Sequence, residues 1–559
     1  MKKFAIFVAA ACMSATAYAQ HTPEWLKDAC IYHIYPSTFK DSDGDGTGDI
    51  EGIRSKLDYI KDVGFNTIWI SPIFCSAFED GGYDITDFYE VDPRFGTNSG
   101  LVEMINEAHA KGIRVCLDLV AGHTSDKHAW FRQSMSADKN LQHSDYYIWT
   151  DGKEGGKPEK KFVDNDAPRN GYYLKNYYDI QPALNYGYAH PDPSKSWQQA
   201  YDAPGPTAVR NELKNIIAFW CDKGVDGFRV DLAPSLVKND DAQRTGIKRL
   251  WNEIFEWYEQ KYPENIMLSE WSQPQFSIDA GFDVDLIIHN GIGEKTYRPL
   301  VCQTSNTGEP TPCYFDKAGK GQIRSFAETY AEICETVRGK GFASMPVCSH
   351  DIWRMNRFDR NTPDELKTVL TLFLTLPMPP IVYYGEEIGM RNIEDAPDKE
   401  GSVNVKNRSS CRTPMQWDTT ANAGFSTADP SMLYLPIDAA ADRPNVATQQ
   451  ADPNSILNYV KGLLALRAAT PALGTDGNWA FVSDLDRPYP MVYMREKDGE
   501  KYFVAFNPSA KSVKTDFAAA ADGKAETVYG TTNKARYAVS KGRTTIWMPP
   551  VSAVIWHVK

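Results

Sequence analysis

Between residues 50 and 231 the apolar positions repeat one arrangement: a helical stripe, a polar end, a glycine, then a short apolar run that stops at a polar residue. Ile53, Leu57 and Ile60 share a helical face ahead of Gly64, and the run 67–70 stops at Ser71. Leu101, Ile105 and Ala108 precede Gly112, and the run 115–117 stops at Asp118. Val209, Leu213, Ile216, Ile217 and Trp220 precede Gly224, and the run 228–230 stops at Asp231. Helix alternating with strand predicts a parallel sheet. Residues 30–34, 266–269, 284–288, 345–348 and 381–384 read as five further strands. Eight parallel strands over about 450 residues predict an α/β fold, a (β/α)8 TIM barrel with insertions. A doubly wound nucleotide-binding sheet would need G-x-G-x-x-G after its first strand. Gly44, Gly46 and Gly48 stand instead among Asp41, Asp43, Asp45 and Asp49, which would repel a pyrophosphate.

The repeat lapses over about 122–205 into a long stretch rich in aromatic residues, Asn, Asp and Gly, which predicts a small domain inserted after strand three. Beyond the helical stretch 455–469, short alternating runs at 491–494 and 502–506 with turns at 497–499 and 522–523 predict a C-terminal antiparallel β-sandwich over 474–559. The barrel then occupies 20–473. Residues 1–19 read as a secretory signal, with Lys2 and Lys3, an apolar run over 4–13, and Ala17-Tyr18-Ala19 as the cleavage site. Export to the periplasm or the medium is the expectation. Ala9 stands where lipidation sites usually carry a larger aliphatic residue, which disfavours Cys12 as a lipid anchor.

With 42% hydrophobic and 24% charged residues in 559, the chain falls outside the class that stays disordered. Its net charge of −13 and the lack of a basic arm exclude a sequence-independent grip on nucleic acid and favour a neutral or cationic ligand. No run is long enough for membrane insertion. Cys116 and Cys221 lie in apolar runs and read as buried thiols, whereas Cys302 and Cys313 flank a polar stretch suited to a loop disulfide.

Asp118, Asp231, Glu270, His350 and Asp351 all fall at the ends of predicted strands, where barrels of this type gather their chemistry. Clustered carboxylates without cationic excess suit either a metal site or acid/base and nucleophilic work on a neutral substrate. A two-metal phosphatase would want more histidines than His123 and His350. Glycosyl transfer needs only an ionised carboxylate to attack the anomeric carbon and a protonated one to release the leaving oxygen. Arg229, two residues before Asp231 on the same strand face, is expected to keep Asp231 ionised, and the apolar run before Glu270 to keep that residue protonated.

These strings together resemble the α-amylase superfamily, glycoside hydrolase family 13, over nearly the whole chain. They are DLVAGH at 118–123, GFRVD at 227–231, LSEW around Glu270, and His350-Asp351. Within the family the similarity is greatest to the oligo-1,6-glucosidase, α-glucosidase and trehalose synthase group, through GGYDITDFYEVDPRFGT, YYGEEIGM and CRTPMQWD. The resemblance implies a retaining α-glycosidase with Asp231 as nucleophile, Glu270 as acid/base and Asp351 as a stabiliser of the transition state. It further implies that Tyr83 stacks on the sugar at the scissile bond, that His123 and His350 hydrogen-bond it beside Arg229, and that Asp84 and Arg412 pair to close the pocket around a terminal glucose. The expected partner is an α-glucan oligosaccharide or polysaccharide.

Asp41, Asp43 and Asp45, followed by Thr47 and Asp49, form an oxygen-rich loop of the Ca²⁺ type, and related enzymes bind Ca²⁺ or Mg²⁺ there. Three positions depart from the family pattern. Gly122 stands where Asn is usual, Ala183 where Asp is common, and Leu232 matches neither residue associated with α-1,6 or α-1,4 preference. The alternatives are a transglycosylase or isomerase on the same scaffold, of the trehalose synthase or sucrose-acting kind, and a non-catalytic sugar-binding relative.

Overall fold

The computed structural model describes residues 22–301, 312–357, 359–399, 408–518 and 524–559. The expected signal segment and Cys302 lie outside them. The barrel strands are β1 Ile31–Ile34, β2 Thr67–Ile70, β3 Arg114–Leu119, β4 Gly227–Val230, β5 Ile266–Glu270, β6 Val284–Leu286, β7 Phe342–Ser344 and β8 Ile381–Tyr383. All pair in parallel, in the circular order β7-β6-β5-β4-β3-β2-β1-β8. The seam between β7 and β8 is joined by the amide of Val347 donating to Ile381 O (2.9 Å) and by Ser344 Oγ donating to Pro379 O (2.7 Å). The seventh strand therefore lies a few residues before the apolar run 345–348. That run leaves the sheet and carries the chain to His350.

Strand alternation decides what enters the barrel. Ile31, Trp69, Cys116, Leu268, Val284, Leu286 and Ile381 pack together inside it, while Tyr32, Ile68, Val115, Phe228 and Val382 face the helices. Counting by twos from the inward residues brings Asp118, Arg229, Asp231 and Glu270 to the same mouth. The outer helices bury the anticipated stripes: Leu101, Ile105 and Ala108 in Asn98–Ala110, and Val209, Leu213, Ile216, Ile217 and Trp220 in Pro204–Cys221. Gly64 (φ 115°) and Gly224 (φ 100°) end their helices in a left-handed turn that a side chain would strain. No helix among the described residues is long and apolar enough to cross a membrane.

Between β3 and β4 the chain forms the helix Ala129–Ser134 and a small antiparallel pair, Phe162–Val163 with Tyr173–Leu174. Leu184 N donates to Gly122 O (3.0 Å) and Ser125 N to Ile85 O (2.8 Å), which fastens this segment to the barrel mouth. Beyond residue 477, five strands and three strands form two antiparallel sheets. Phe503, Ala505, Val554 and Trp556 of one pack on Phe517, Ile546 and Met548 of the other, the core of a β-sandwich. Cys116 and Cys221 are buried free thiols, and Cys313 is disulfide-bonded while the seven other described cysteines are free.

Candidate active site

The register of the parallel sheet sets Asp118 directly beside Arg229, so that one guanidinium lies among three carboxylates. Arg229 Nη1 donates to Asp118 Oδ1 (2.7 Å) and Asp231 Oδ1 (3.0 Å), and Nη2 meets Glu270 Oε2 at 2.8 Å. Asp118 Oδ2 also accepts from Trp69 Nε1 and Tyr83 Oη, both at 3.0 Å. All three aspartate and arginine side chains are buried, and burial pushes the Asp118 carboxyl up to about 6 even against the pull of Arg229.

One expectation about protons changes here. Arg229 touches both Asp231 and Glu270, so it does not single out Asp231 for ionisation. Burial drives the Asp231 carboxyl upward, Arg229 opposes this, and Glu270 and Asp118 add to the rise, so the net direction is up. Of the apolar run before Glu270, Ile266 and Leu268 point into the barrel below while Met267 faces the helices, and Glu270 Oε2 meets Arg229 and accepts from the amide of Leu232 (3.0 Å). Leu232 adopts a left-handed conformation (φ 43°) that aims this N–H at Glu270.

Asp351 closes the other side. Its Oδ1 accepts from Arg408 Nε (2.6 Å) and Nη2 (2.5 Å) and from Arg412 Nη2 (3.1 Å). Burial works against its ionisation, but Arg408, with Arg412 behind it, more than offsets this and holds the carboxyl well below the ordinary range. Its negative charge is thus fixed. His350 is buried between stacked rings, with Tyr83 5.2 Å and Tyr35 6.1 Å away, and neither ring nitrogen has a hydrogen-bond partner. Burial lowers its pKa, so the imidazole is neutral.

Asp84 and Arg412 do not form the expected pair across the pocket. Asp84 accepts from the amides of Glu79 and Asp80 and from Ser76 Oγ, capping the loop beneath it. Arg412 turns under Asp351 and donates to His350 O (2.8 Å). The pair that closes the pocket is Asp80 with Arg408 (2.8 Å), and Gln181 of the insertion donates to the second oxygen of Asp80 (2.8 Å). Both closing residues lie four positions before the expected ones, in loops where no periodicity tells which side chain faces inward.

His123 lines the cavity, but both its nitrogens are taken: Nε2 by Tyr83 O (2.9 Å) and Nδ1 by Asn176 Nδ2 (3.1 Å). A direct bond to a sugar hydroxyl is therefore not what this ring is free to make. The unusual Gly122 explains the arrangement, because a Cβ there would lie 2.7 Å from Asn176 Nδ2. Asp231, Glu270, Asp351, Tyr83, His123, Asp80 and Arg408 line one cavity of about 180 Å³ that opens to solvent beside Tyr177 and Asn290. Sequence reasoning missed Asp80, Arg408, Gln181, Tyr177 and His289.

In the acidic loop, ligand atoms of Asp41, Asp43 and Asp49 lie within 4.8 Å of one another. Asp45 does not join this group; its carboxylate accepts from the amide of Thr47 (2.7 Å). Asp41 also accepts from Gly44 N, Gly46 N and Ser426 Oγ, which ties the loop to the segment after Arg412. Three carboxylates from one turn make an all-oxygen donor set, which fits a hard divalent cation.

The model for the α-amylase catalytic domain matches residues 33–476. An oligo-1,6-glucosidase of Heyndrickxia coagulans is 31% identical, covering 88% of this chain and 94% of its own. The trehalose synthase/amylase TreS of Mycolicibacterium smegmatis is 30% identical over 84% of this chain and 80% of its own. Among solved structures, the trehalulose synthase MutB of Pseudomonas mesoacidophila MX-45 superposes with a TM-score of 0.78 at 26% identity, covering 96% of this chain and 100% of its own.

Proposed function

The chain belongs to the α-amylase family of glycoside hydrolases, and from that premise we propose that it is an exported, retaining α-glucosidase that removes terminal glucose from short α-glucans. The observation that carries this reading is the placement of Asp231 and Glu270 on the two terminal nitrogens of one guanidinium, facing one cavity whose far end is closed by Asp80 and Arg408. A blind end suits a chain terminus rather than the middle of a polymer.

In the first step Asp231 attacks the anomeric carbon while Glu270 protonates the departing oxygen, giving a β-glucosyl ester. In the second, Glu270 takes a proton from water, which displaces Asp231 and restores the α configuration. Asp231 and Glu270 meet the two terminal nitrogens of Arg229, which sets the attacking and the proton-delivering carboxyl on one cation. Asp351, held ionised by Arg408 and Arg412, supplies negative charge beside the ring as positive charge develops on it. His350 stands behind Asp351, its Nε2 3.4 Å from Asp351 Oδ2, and does not itself line the cavity.

The test is a product time course on maltose, isomaltose, trehalose, sucrose, maltoheptaose and starch. Glucose released as the α anomer, faster from the short substrates, is the expected result. Conversion of maltose to trehalose would establish the isomerase instead, and binding without turnover the non-catalytic relative. Export is checked by N-terminal sequencing of the protein recovered outside the cytoplasm, with a start at Gln20 expected.

Asp41, Asp43 and Asp49, with Asp45 and Thr47 alongside, would hold a structural Ca²⁺, which supplies cross-linking charge to the loop and no step of the reaction. Chelation should therefore lower the melting temperature and Ca²⁺ should restore it, the bound ion adding about 2.7 kcal/mol of stability at a free concentration near 100 Kd. A melting curve indifferent to chelator and Ca²⁺ would refute the site.

A further inference from the structure

Val284 and Leu286 of β6 pack inside the barrel, so Asp285 between them faces outward, toward the layer where the other strands bury apolar side chains. It is nonetheless a fully buried carboxyl. Burial pushes it up to about 7, against the pull of Ser269 Oγ and of the amides of Gln273, Ser272 and Trp271. A buried acid costs the fold free energy unless its hydrogen bonds offset the loss of water, so what it holds is the measure of its role.

The groups it holds flank Glu270. The parallel register sets Asp285 beside Ser269 and Leu286 beside Glu270. Asp285 Oδ1 accepts from Ser269 Oγ (2.8 Å) and from the amide of Ser272 (3.2 Å). The one hydroxyl proton of Ser269 is used on Asp285, so Ser277 Oγ donates to Ser269 Oγ (2.5 Å) and adds the short helix Pro274–Ser277 to the network. Ser272 turns the chain in a left-handed conformation (φ 57°) and clasps the end of β6 again: its Oγ donates to Leu286 O and accepts from the amide of Ile288, both at 3.1 Å. The Glu270 side chain has fewer holds of its own. Its Oε2 meets Arg229 and the amide of Leu232, and Arg229 is shared with two aspartates.

We infer that Asp285 is a positioning residue for Glu270: by accepting from Ser269 before it and Ser272 after it, the carboxyl fixes the backbone from which the acid/base projects, and with it the aim of the proton at the departing oxygen. This rests on the glycosidase reading above and adds to it a residue that touches no substrate. Displacing a catalytic group by about 1 Å can cost about 100-fold in rate, so a hold on the backbone beside Glu270 bears directly on turnover. Asp283, two positions earlier, supplies the contrast. It accepts from the amide of Met267 (2.8 Å) and ties the same two strands together without reaching the turn after Glu270.

The experiment compares maltose, whose leaving oxygen needs a proton, with α-glucosyl fluoride, whose leaving group does not, in the wild type and in Asp285→Ala, Asp285→Asn, Ser272→Gly and Asp283→Ala. The ratio of kcat/KM for maltose to that for the fluoride should fall about tenfold in Asp285→Ala and by less in Ser272→Gly. With the fluoride, kcat and KM should fall together, because the ester forms at its usual rate while its release, which needs Glu270 as base, becomes slow. Asp285→Asn keeps an accepting oxygen for Ser269 and Ser272 and should restore the ratio. Asp283→Ala should lower the melting temperature and leave the ratio unchanged. Should Asp285→Ala not fold, Ser272→Gly decides, since glycine adopts positive φ without strain. A ratio unchanged in the folded Asp285→Ala and Ser272→Gly proteins, or lowered as much in Asp283→Ala, would overturn this inference alone. Failure of the wild type to consume either compound would overturn the glycosidase reading and this inference with it.

Discussion

Asp231→Asn is expected to lower kcat on maltose by about 10⁴-fold or more while the protein stays folded. The amide keeps the shape of the carboxyl and leaves Arg229 bound to Asp118 and Glu270. It cannot form the glucosyl ester, so the route through a covalent intermediate is lost. Glu270→Gln should behave differently in a way that separates the two roles. Maltose needs a proton on its leaving oxygen and fails, at a cost of about 10² to 10⁴ in rate. Fluoride leaves without strong acid assistance, so α-glucosyl fluoride should load Asp231 and then stall, because the base for the second step is missing. Mass spectrometry of the Glu270→Gln protein after mixing should find a glucosyl adduct on the peptide that contains Asp231. Wild-type turnover of maltose by Asp231→Asn, or an adduct elsewhere, would end the assignment.

Arg229→Met is expected to destabilise the protein by about 3 to 5 kcal/mol, beyond its effect on activity. The methionine fills much of the space, but Asp118, Asp231 and Glu270 then lose the one cation they share. The sign of the pH dependence follows from Asp118. Its folded pKa of about 6 is already above the ordinary carboxylate value of 3.8, and removing Arg229 raises it further. A carboxyl whose pKa rises on folding holds its proton more tightly in the folded state, so the stability it contributes is present at low pH and lost as pH rises through the folded value. The gap between Arg229→Met and wild type should therefore be widest at neutral and alkaline pH. It should narrow as pH falls toward about 6, where Asp118 protonates even in the wild type. Urea denaturation at pH 8 and pH 6 measures this, and a gap that widened on acidification would contradict the account.

The sharing of Arg229 also explains a tension within the site. Asp118 is fully enclosed and accepts three hydrogen bonds, from Arg229, Trp69 and Tyr83, without reaching the open part of the cavity. Its charge offsets the cation from behind, which lets Asp231 and Glu270 compete for what remains. Removing Asp118 would leave Arg229 bound more strongly to the two reacting carboxylates, so its place at the end of β3 belongs to the chemistry although it touches no substrate.

The chain determines by itself whatever follows a fixed period. Alternation along β3, β4 and β5 is a backbone property, so residues two apart share a face wherever the strand lies, and Asp118, Arg229, Asp231 and Glu270 were bound to emerge at one mouth once the strands were recognised. The same holds for the helical stripes behind them and for the alternating runs of the C-terminal sheets. Loops have no such rule. The chain between Ser76 and Asp84 reverses through positive φ at Phe78, Gly81 and Gly82, and those turns alone decide that Asp80 faces the pocket while Asp84 is folded underneath to cap it. Arg408 and Arg412 are sorted likewise by the short helical turn Arg408–Cys411 between them. Only the packed structure could show that Asn176, admitted by the missing Cβ of Gly122, occupies His123, or that Tyr177 and His289, from segments more than a hundred residues apart, stand at one opening. Those juxtapositions depend on where whole elements come to rest, and that is set by burial summed over the core rather than by any local pattern of residues.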